Sequence, residues 1–400
     1  MERQSGLSNR RSIAPQTTGV YFGMGDVIIS EWLGDTGGAE QVLITAAAIL
    51  PRTPIHAFSA TPTWHSRYSG GRLTTTFAGR HTPPSARKFL APAMPALWRV
   101  PRVKARRALI LHHAFASSAV TSQIDLAVAY VHSPARYIWD PTLDARGSGP
   151  LARIVAAPLK KIDRLAAQRL SQVVCNSEAT RARIEAHWEV PATVIYPPVR
   201  TELFGRRAPE TSVASSTPHF SQGYLLSYGR WVGYKRFDHA VRVAASAGIP
   251  LVVCGGGPEG GRLRALAAQS GHGRYVTFLD QLPTAALVRL VQGARCLLFP
   301  GVEDFGIVPL EAQAAGVPVI ALAAGGALET VTDGATGFLI PTLEVADWVD
   351  ALERLDEIDP DACRLNAARF SEARFTSEAF DWLSAWGFDT DPAMSAELTA

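Results

Sequence analysis

From Val20 onward, short apolar runs alternate with stretches of helical spacing. That alternation is the pattern of an α/β protein with parallel sheets. In the first half the runs predict strands at Asp26–Ser30, Ala108–Leu111, Leu126–Val131, Gln172–Cys175 and Thr193–Tyr196, with a helix over Val42–Leu50. The segment Arg206–Gln222, rich in Ser, Thr and Pro, breaks the rhythm and reads as a linker. A second series follows at Tyr224–Tyr228, Leu251–Cys254, Tyr275–Leu279, Arg295–Phe299, Val317–Leu322 and Gly337–Ile340. Two similar halves place a cleft between them. The expected division is a disordered extension over 1–20, a first domain over 21–205, the linker over 206–222, a second domain over 223–361, a long helix over 362–388 and a tail over 389–400.

Composition supports two or three domains: 400 residues, 47% of them hydrophobic. A net charge of +3 argues for neither nucleic acid nor disorder. Met1–Gly19 is polar, with no apolar core of a signal peptide, and no run reaches the length of a membrane span. The expected location is therefore cytoplasmic, including the inner face of a membrane. Cys175, Cys254, Cys296 and Cys363 lie far apart, as small core residues of a reducing compartment do. Charge is unevenly spread, since Gln41–Ile124 holds no Asp or Glu while eleven Arg and Lys residues fall within it. Phe89–Trp98 interleaves apolar residues among those cations. An anionic membrane or lipid-diphosphate surface and a plain solvated basic face both fit.

The densest chemistry lies in Gly301–Ile320, where Glu303 and Glu311 stand at either side of a glycine-containing turn into a helix. A helix N-terminus offers unpaired N–H groups and a positive dipole end, so phosphate fits between the two carboxylates, which can reach hydroxyls on each side. Gly229–Lys235 follows the first strand of the second half, bringing Arg230 and Lys235 towards the same place. Two cations there can neutralise a diphosphate as the bond to it breaks. In the first half, Gly37 and Gly38 precede a helix and allow close approach of backbone to a ligand. His132 ends a strand and is followed by Arg136 and Tyr137; His113 ends another. These, with Glu31 after the first strand, are the acceptor-side and sugar-side candidates.

Two rival signals stand beside this one. Gly255, Gly257 and Gly260 have GxGxxG spacing after a strand, with Asp280 about 20 residues on, the fingerprint of a dinucleotide site and an NAD-dependent oxidoreductase. That reading leaves Arg230, Lys235, Glu303 and Glu311 without a task. Asp359-Pro-Asp361 and Asp389-Thr-Asp391 spell a metal-binding pattern, but neither follows a strand; solvated charge explains them better, and with Arg230, Lys235 and helix N-termini available no metal is expected.

The set Gly37-Gly-Ala-Glu40, Ala129–Trp139, Val194–Val199, Gly229-Arg with Tyr234-Lys-Arg236, Gly255–Pro258 and Glu303–Glu311 resembles the family-4 (group 1) retaining glycosyltransferases of GT-B fold, most of all bacterial mannosyltransferases of surface polysaccharide assembly. The resemblance implies two Rossmann-like domains facing a cleft, with the last helix crossing back to the N-terminal domain. It implies metal-free transfer of a sugar, with GDP-mannose favoured as donor and a UDP sugar the other choice, to a glycan or polyprenyl-diphosphate-linked acceptor. On it, Arg230 and Lys235 hold the diphosphate and Gly306, Ile307, Val308, Pro309 and Leu310 support it from the backbone. Glu303 holds sugar hydroxyls, Glu311 the ribose, and His132 the sugar near the reacting carbon. Gly37 and Gly38 close over the diphosphate, and Gly255 and Gly257 line the nucleotide pocket. A sugar-nucleotide epimerase of the same fold remains the nearest alternative.

Overall fold

A computed structural model describes residues 25–34, 37–82, 90, 93–99, 103–141, 150–206, 223–269, 275–391 and 393, without side chains at 150–155. The expected extension, almost all of the linker and the last residues of the tail lie outside the described residues.

Among the described residues, thirteen strands form two wholly parallel sheets. The first contains β1 (Asp26–Leu33), β2 (Ile55–Ala60), β3 (Leu73–Thr75), β4 (Ala105–His112), β5 (Ile124–Val131), β6 (Gln172–Cys175) and β7 (Thr193–Val194), in the order β3-β2-β1-β4-β5-β6-β7. The second contains β8 (Leu225–Arg230), β9 (Leu251–Gly256), β10 (Val276–Leu279), β11 (Cys296–Phe299), β12 (Val319–Leu322) and β13 (Gly337–Ile340), in the order β10-β9-β8-β11-β12-β13. Successive residues of a strand point to opposite faces, and helices cover both faces, so the middles of the central strands are largely apolar on both sides. In β1, for example, Val27 and Ile29 join one core cluster while Ile28 joins the cluster on the other side. All four cysteines are buried free thiols, as small core residues.

β2 and β3 were not among the expected strands. β2 carries His56 in its interior, hydrogen-bonded to Thr74 of β3 at 2.9 Å, and β3 is a three-residue edge strand. Neither makes an apolar run that stands out of the sequence. Phe89–Trp98 also departs from the membrane-facing reading where it is described, because Met94 and Trp98 are buried in the core of the first sheet.

The last helix of the expectation is two. Pro360–Ala368, capped by Asp359, packs on the second domain; Glu372–Ala385, capped by Ser371, packs on the first. The break is needed because the chain changes domain there: Phe370 is buried with Val199, Phe305 and Leu310 at the junction, and Ser371 bridges to Val199. Beyond it, Phe375 packs edge-on against Tyr130, and Trp382 donates to Gln172 Oε1 at 2.6 Å. Gln41 donates to Glu372 at 2.8 Å.

Candidate active site in the interdomain cleft

Each sheet has one point where the strand order reverses, between β1 and β4 and between β8 and β11. Connections leave such a point to opposite faces and open a crevice at the carboxyl ends of the strands, where ligands of open α/β sheets bind. The carboxyl ends of β1 and β4 lead to Gly34, Gly37, Gly38 and His113; β8 ends in Gly229 and Arg230 and leads to Lys235, and β11 leads to Gly301–Gly306. The two crevices face each other. A Cβ built on Gly38 would lie 2.4 Å from Cδ1 of Ile307, so the first turns of helices Gly38–Ile49 and Ile307–Ala314 meet across the cleft.

Neither of those helix starts has a side-chain cap, at Gly37 or at Gly306. Their first-turn N–H groups and positive dipole ends converge on one place, which suits an anion. Pro309 has no N–H, and Pro309 and Leu310 are buried, so Ile307 and Val308 supply the donors on that side. Gly306 adopts φ +88°, a left-handed conformation that turns the loop sharply into the helix.

Lys235 sits in the short turn Gly233–Lys235, its Nζ 2.7 Å from Glu303 Oε1, with both side chains largely shielded. Burial alone would lower the Lys235 pKa, but Glu303 outweighs it and the pKa is raised, so the ammonium is fixed. Arg230 is exposed at the end of β8, with no ion-pair partner among the described residues. Glu311 is buried: it accepts from Tyr228 Oη at 2.8 Å and from Arg200 Nη2 at 3.1 Å. Burial raises its pKa against the pull of Arg200 and Tyr228.

On the first domain, His132 is buried and its ring lies 6.1 Å from that of exposed His113. Burial, with the neighbouring histidines, lowers His132 to about 3. It is a neutral hydrogen-bonding group at pH 7, and not an acid. Two acceptor-side candidates are differently employed. Glu31 is only 2% exposed and accepts from the Phe115 amide, so it organises the turn after β4 from inside. Arg136 reaches across to Asp304, with Nε 3.1 Å from Oδ2, and stacks over Tyr234. Tyr137 packs edge-on against Phe115, partly buried.

Several site residues were not foreseen. A Cβ on Gly325 would lie 2.4 Å from the Glu303 carbonyl, and one on Gly326 2.1 Å from the Phe305 carbonyl. This Gly-Gly pair after β12 supports the Glu303–Phe305 loop from behind, and Gly326 N–H donates to Glu303 O at 2.9 Å. The paired glycines after a strand were the available signal. Asp304, Arg183, Arg200 and Glu329 carry contacts between the domains, and nothing in their spacing marks them.

Residues 36–203 match the family model described as Glycosyltransferase Family 4, and residues 214–370 match that described as Glycosyl transferases group 1. Together the two matches take in both halves of the chain. It is 31% identical over 233 residues to a D-inositol 3-phosphate glycosyltransferase of Corynebacterium aurimucosum (53% of this chain, 54% of that one). It is 43% identical over 140 residues to a protein of the same name from Nocardia farcinica (32% of this chain, 31% of that one). The chain thus spans about half the length of the first relative and less of the second. Among solved structures, Anabaena Alr3699/HepE in complex with UDP and glucose superposes with a TM-score of 0.67 at 18% identity, over 89% of this chain and 99% of that one. WaaG, a glycosyltransferase involved in lipopolysaccharide biosynthesis, gives 0.65 at 19%, with 89% and 99% covered. The fold is GT-B.

Within the residues that match the group 1 model, the GxGxxG glycines make close protein contacts. A Cβ on Gly255 would lie 2.0 Å from Gly229 O, and one on Gly257 2.5 Å from Trp231 O. These positions let the ends of β8 and β9 lie close together, so the spacing does not single out a pyrophosphate. Of the DxD patterns, Asp359 caps a helix, Asp361 pairs with Arg364 and Asp389 with Arg52. Among the described residues, no helix is long and apolar enough to cross a membrane.

Behind the first domain's crevice, Glu31 and Asp163 are both buried, and Asp163 accepts from the indoles of Trp139 and Trp188 at 2.7 Å each. Burial pushes each carboxyl up to about 7, against those hydrogen bonds. Folded values above the ordinary ones mean that the protonated forms favour the fold; the contribution is complete below the ordinary carboxyl pKa and is lost as pH rises through about 7. The melting temperature should therefore fall by about 3 °C between pH 6 and pH 8. Glu31→Gln should flatten that slope, and a melting temperature that rises across the window would contradict the assignment.

Proposed function

We propose that this chain transfers a sugar from a nucleoside diphosphate sugar, with retention of anomeric configuration and without a metal, to a glycan or polyprenyl-diphosphate-linked acceptor. The observation that carries the reading is the meeting of two uncapped helix N-termini, at Gly38 and Ile307, beside Arg230 and Lys235. The diphosphate lies between them, and the cations offset the charge that grows on it as the glycosidic bond breaks. Lys235 has three N–H donors, so it can keep Glu303 and still reach a phosphate oxygen. Glu303, fixed by Lys235, accepts from hydroxyls of the donor sugar. Neutral His132 hydrogen-bonds the sugar near the reacting carbon. Each Glu311 oxygen retains a lone pair beyond Tyr228 and Arg200, enough to accept from the ribose.

Mannose from GDP-mannose is the finer proposal, supported by the motif set. Neighbours solved with UDP keep a UDP sugar as its alternative, and relatives named for inositol 3-phosphate add a phosphorylated polyol to the acceptors worth testing. Calorimetric titration with UDP, GDP and their sugars, followed by transfer assays on both acceptor classes, decides between them. Binding of GDP roughly tenfold tighter than UDP supports the mannosyl proposal. The reverse order replaces the donor and leaves the transfer reading standing. Binding of neither overturns it, and acceptor-independent release of an altered sugar would favour the epimerase.

A further inference from the structure

Arg183 lies on the helix Glu178–Trp188, outside every motif so far described, yet its guanidinium joins three parts of the cleft. Nε donates to Asp140 Oδ2 at 2.9 Å, Nη2 reaches Ser133 Oγ at 3.3 Å, and Nη1 pairs with Asp304. Ser133 directly follows His132, and Asp304 directly follows Glu303. One side chain of the first domain therefore touches the immediate neighbours of the two groups that flank the donor sugar. Asp304 is gripped a second time by Arg136, and its side chain and that of Arg183 are 13% and 17% exposed. Charge-assisted bonds in so shielded a place are strong and geometrically exacting.

The helix itself is fixed independently. Glu329 of the second domain accepts from the amides of Glu178 and Ala179 at 2.8 and 3.0 Å, so its N-terminus stays docked whatever Arg183 does. Hence Arg183 is not needed to bring the domains together; its contacts set the loops relative to each other. We infer that Arg183 is a positioning residue, holding the loop of His132 and the loop of Glu303 in one register through Ser133 and Asp304. The inference rests on the transfer reading for its catalytic consequence, and on geometry alone for the coupling of the loops. Arginine suits the task because its planar fork offers several N–H directions at once, where lysine is a single point charge.

Hydrogen exchange and kinetics of Arg183→Met and Arg183→Lys test it. In Arg183→Met, amides of residues 132–136 and 302–306 should exchange roughly tenfold faster, together, while those of β8 and β11 keep their protection. Turnover should fall about 100-fold, because a shift of an ångström in a reacting group costs that much, with nucleotide affinity within about threefold of wild type. Arg183→Lys should keep the global fold without restoring turnover. Should Arg183→Met lose protection throughout, Asp304→Asn is read instead, since it removes the charge that pairs with Arg183 and Arg136 and leaves Arg183 on Asp140 and Ser133; the same paired loosening is expected. Unchanged exchange in either loop overturns the inference, as does normal turnover in a variant whose loops have loosened. A wild-type protein that transfers no sugar would defeat the transfer reading, while the exchange result still decides the coupling.

Discussion

Lys235→Ala should lower turnover by about 100- to 1,000-fold, the loss expected when one preorganised charge facing a leaving group is removed. Two effects combine. The diphosphate loses a fixed cation, and Glu303 keeps its shielded position without the ammonium that holds it at 2.7 Å. Lys235→Arg should recover only part of the activity, because the ammonium lies against the Gly229 backbone, with a Cβ built on Gly229 only 3.2 Å from Nζ. A bulkier head group must displace the end of β8. Steady-state transfer rates with donor affinity measured in parallel check both variants; near-normal turnover in Lys235→Ala would remove the lysine from the mechanism.

Gly326→Ala should weaken donor binding by at least roughly tenfold and slow transfer further, since backbone must move to admit one methyl group. The added Cβ would fall 2.1 Å from Phe305 O and 2.3 Å from Phe305 Cα, and neither can swing aside as a side-chain tip could. The loop that moves is Glu303–Phe305, so the effect appears at the donor site while the sheets remain folded. Gly38→Ala makes a useful contrast: its clash is with the tip of Ile307, which can rotate, so a smaller loss is expected. Calorimetry on the two variants separates the cases, and equal affinities in both would count against the loop's role.

The parallel strands were legible because they are buried on both faces and read as unbroken apolar runs, as in Leu251–Cys254 or Cys296–Phe299. Edge strand β3 and its neighbour β2 were not, since a short edge strand and one with an internal histidine give no such run. The site divides along the same line. Gly37, Gly38, Arg230, Lys235 and Glu303 could be proposed from the sequence because each stands at the end of a strand or the start of a helix, with Glu311 one turn further on, and those places in the chain lie at the two crevices. Residues that work across the domain boundary left no local trace. Asp304 looks like any acidic residue beside Glu303, and Arg183 like any solvated helix cation, until folding brings them together from positions 121 residues apart. Glu31 shows the opposite failure: its position after the expected strand Asp26–Ser30 suggested a cleft residue, but it lies within β1 and its carboxyl group turns inward to the amide of Phe115. Likewise Ser371, which caps the final helix, marks the break that a continuous helical reading passed over.

The central claim is that a nucleoside diphosphate binds between the helix starts at Gly38 and Ile307, and a crystal structure of the chain with its nucleotide sugar tests it most directly. The account predicts phosphate oxygens within hydrogen-bond distance of the backbone N–H groups of Gly38, Ile307 or Val308, with Lys235 and Arg230 on the same diphosphate and Glu303 on the sugar. Phosphates cradled by the Gly255–Gly260 loop, with the two helix N-termini empty, would contradict it.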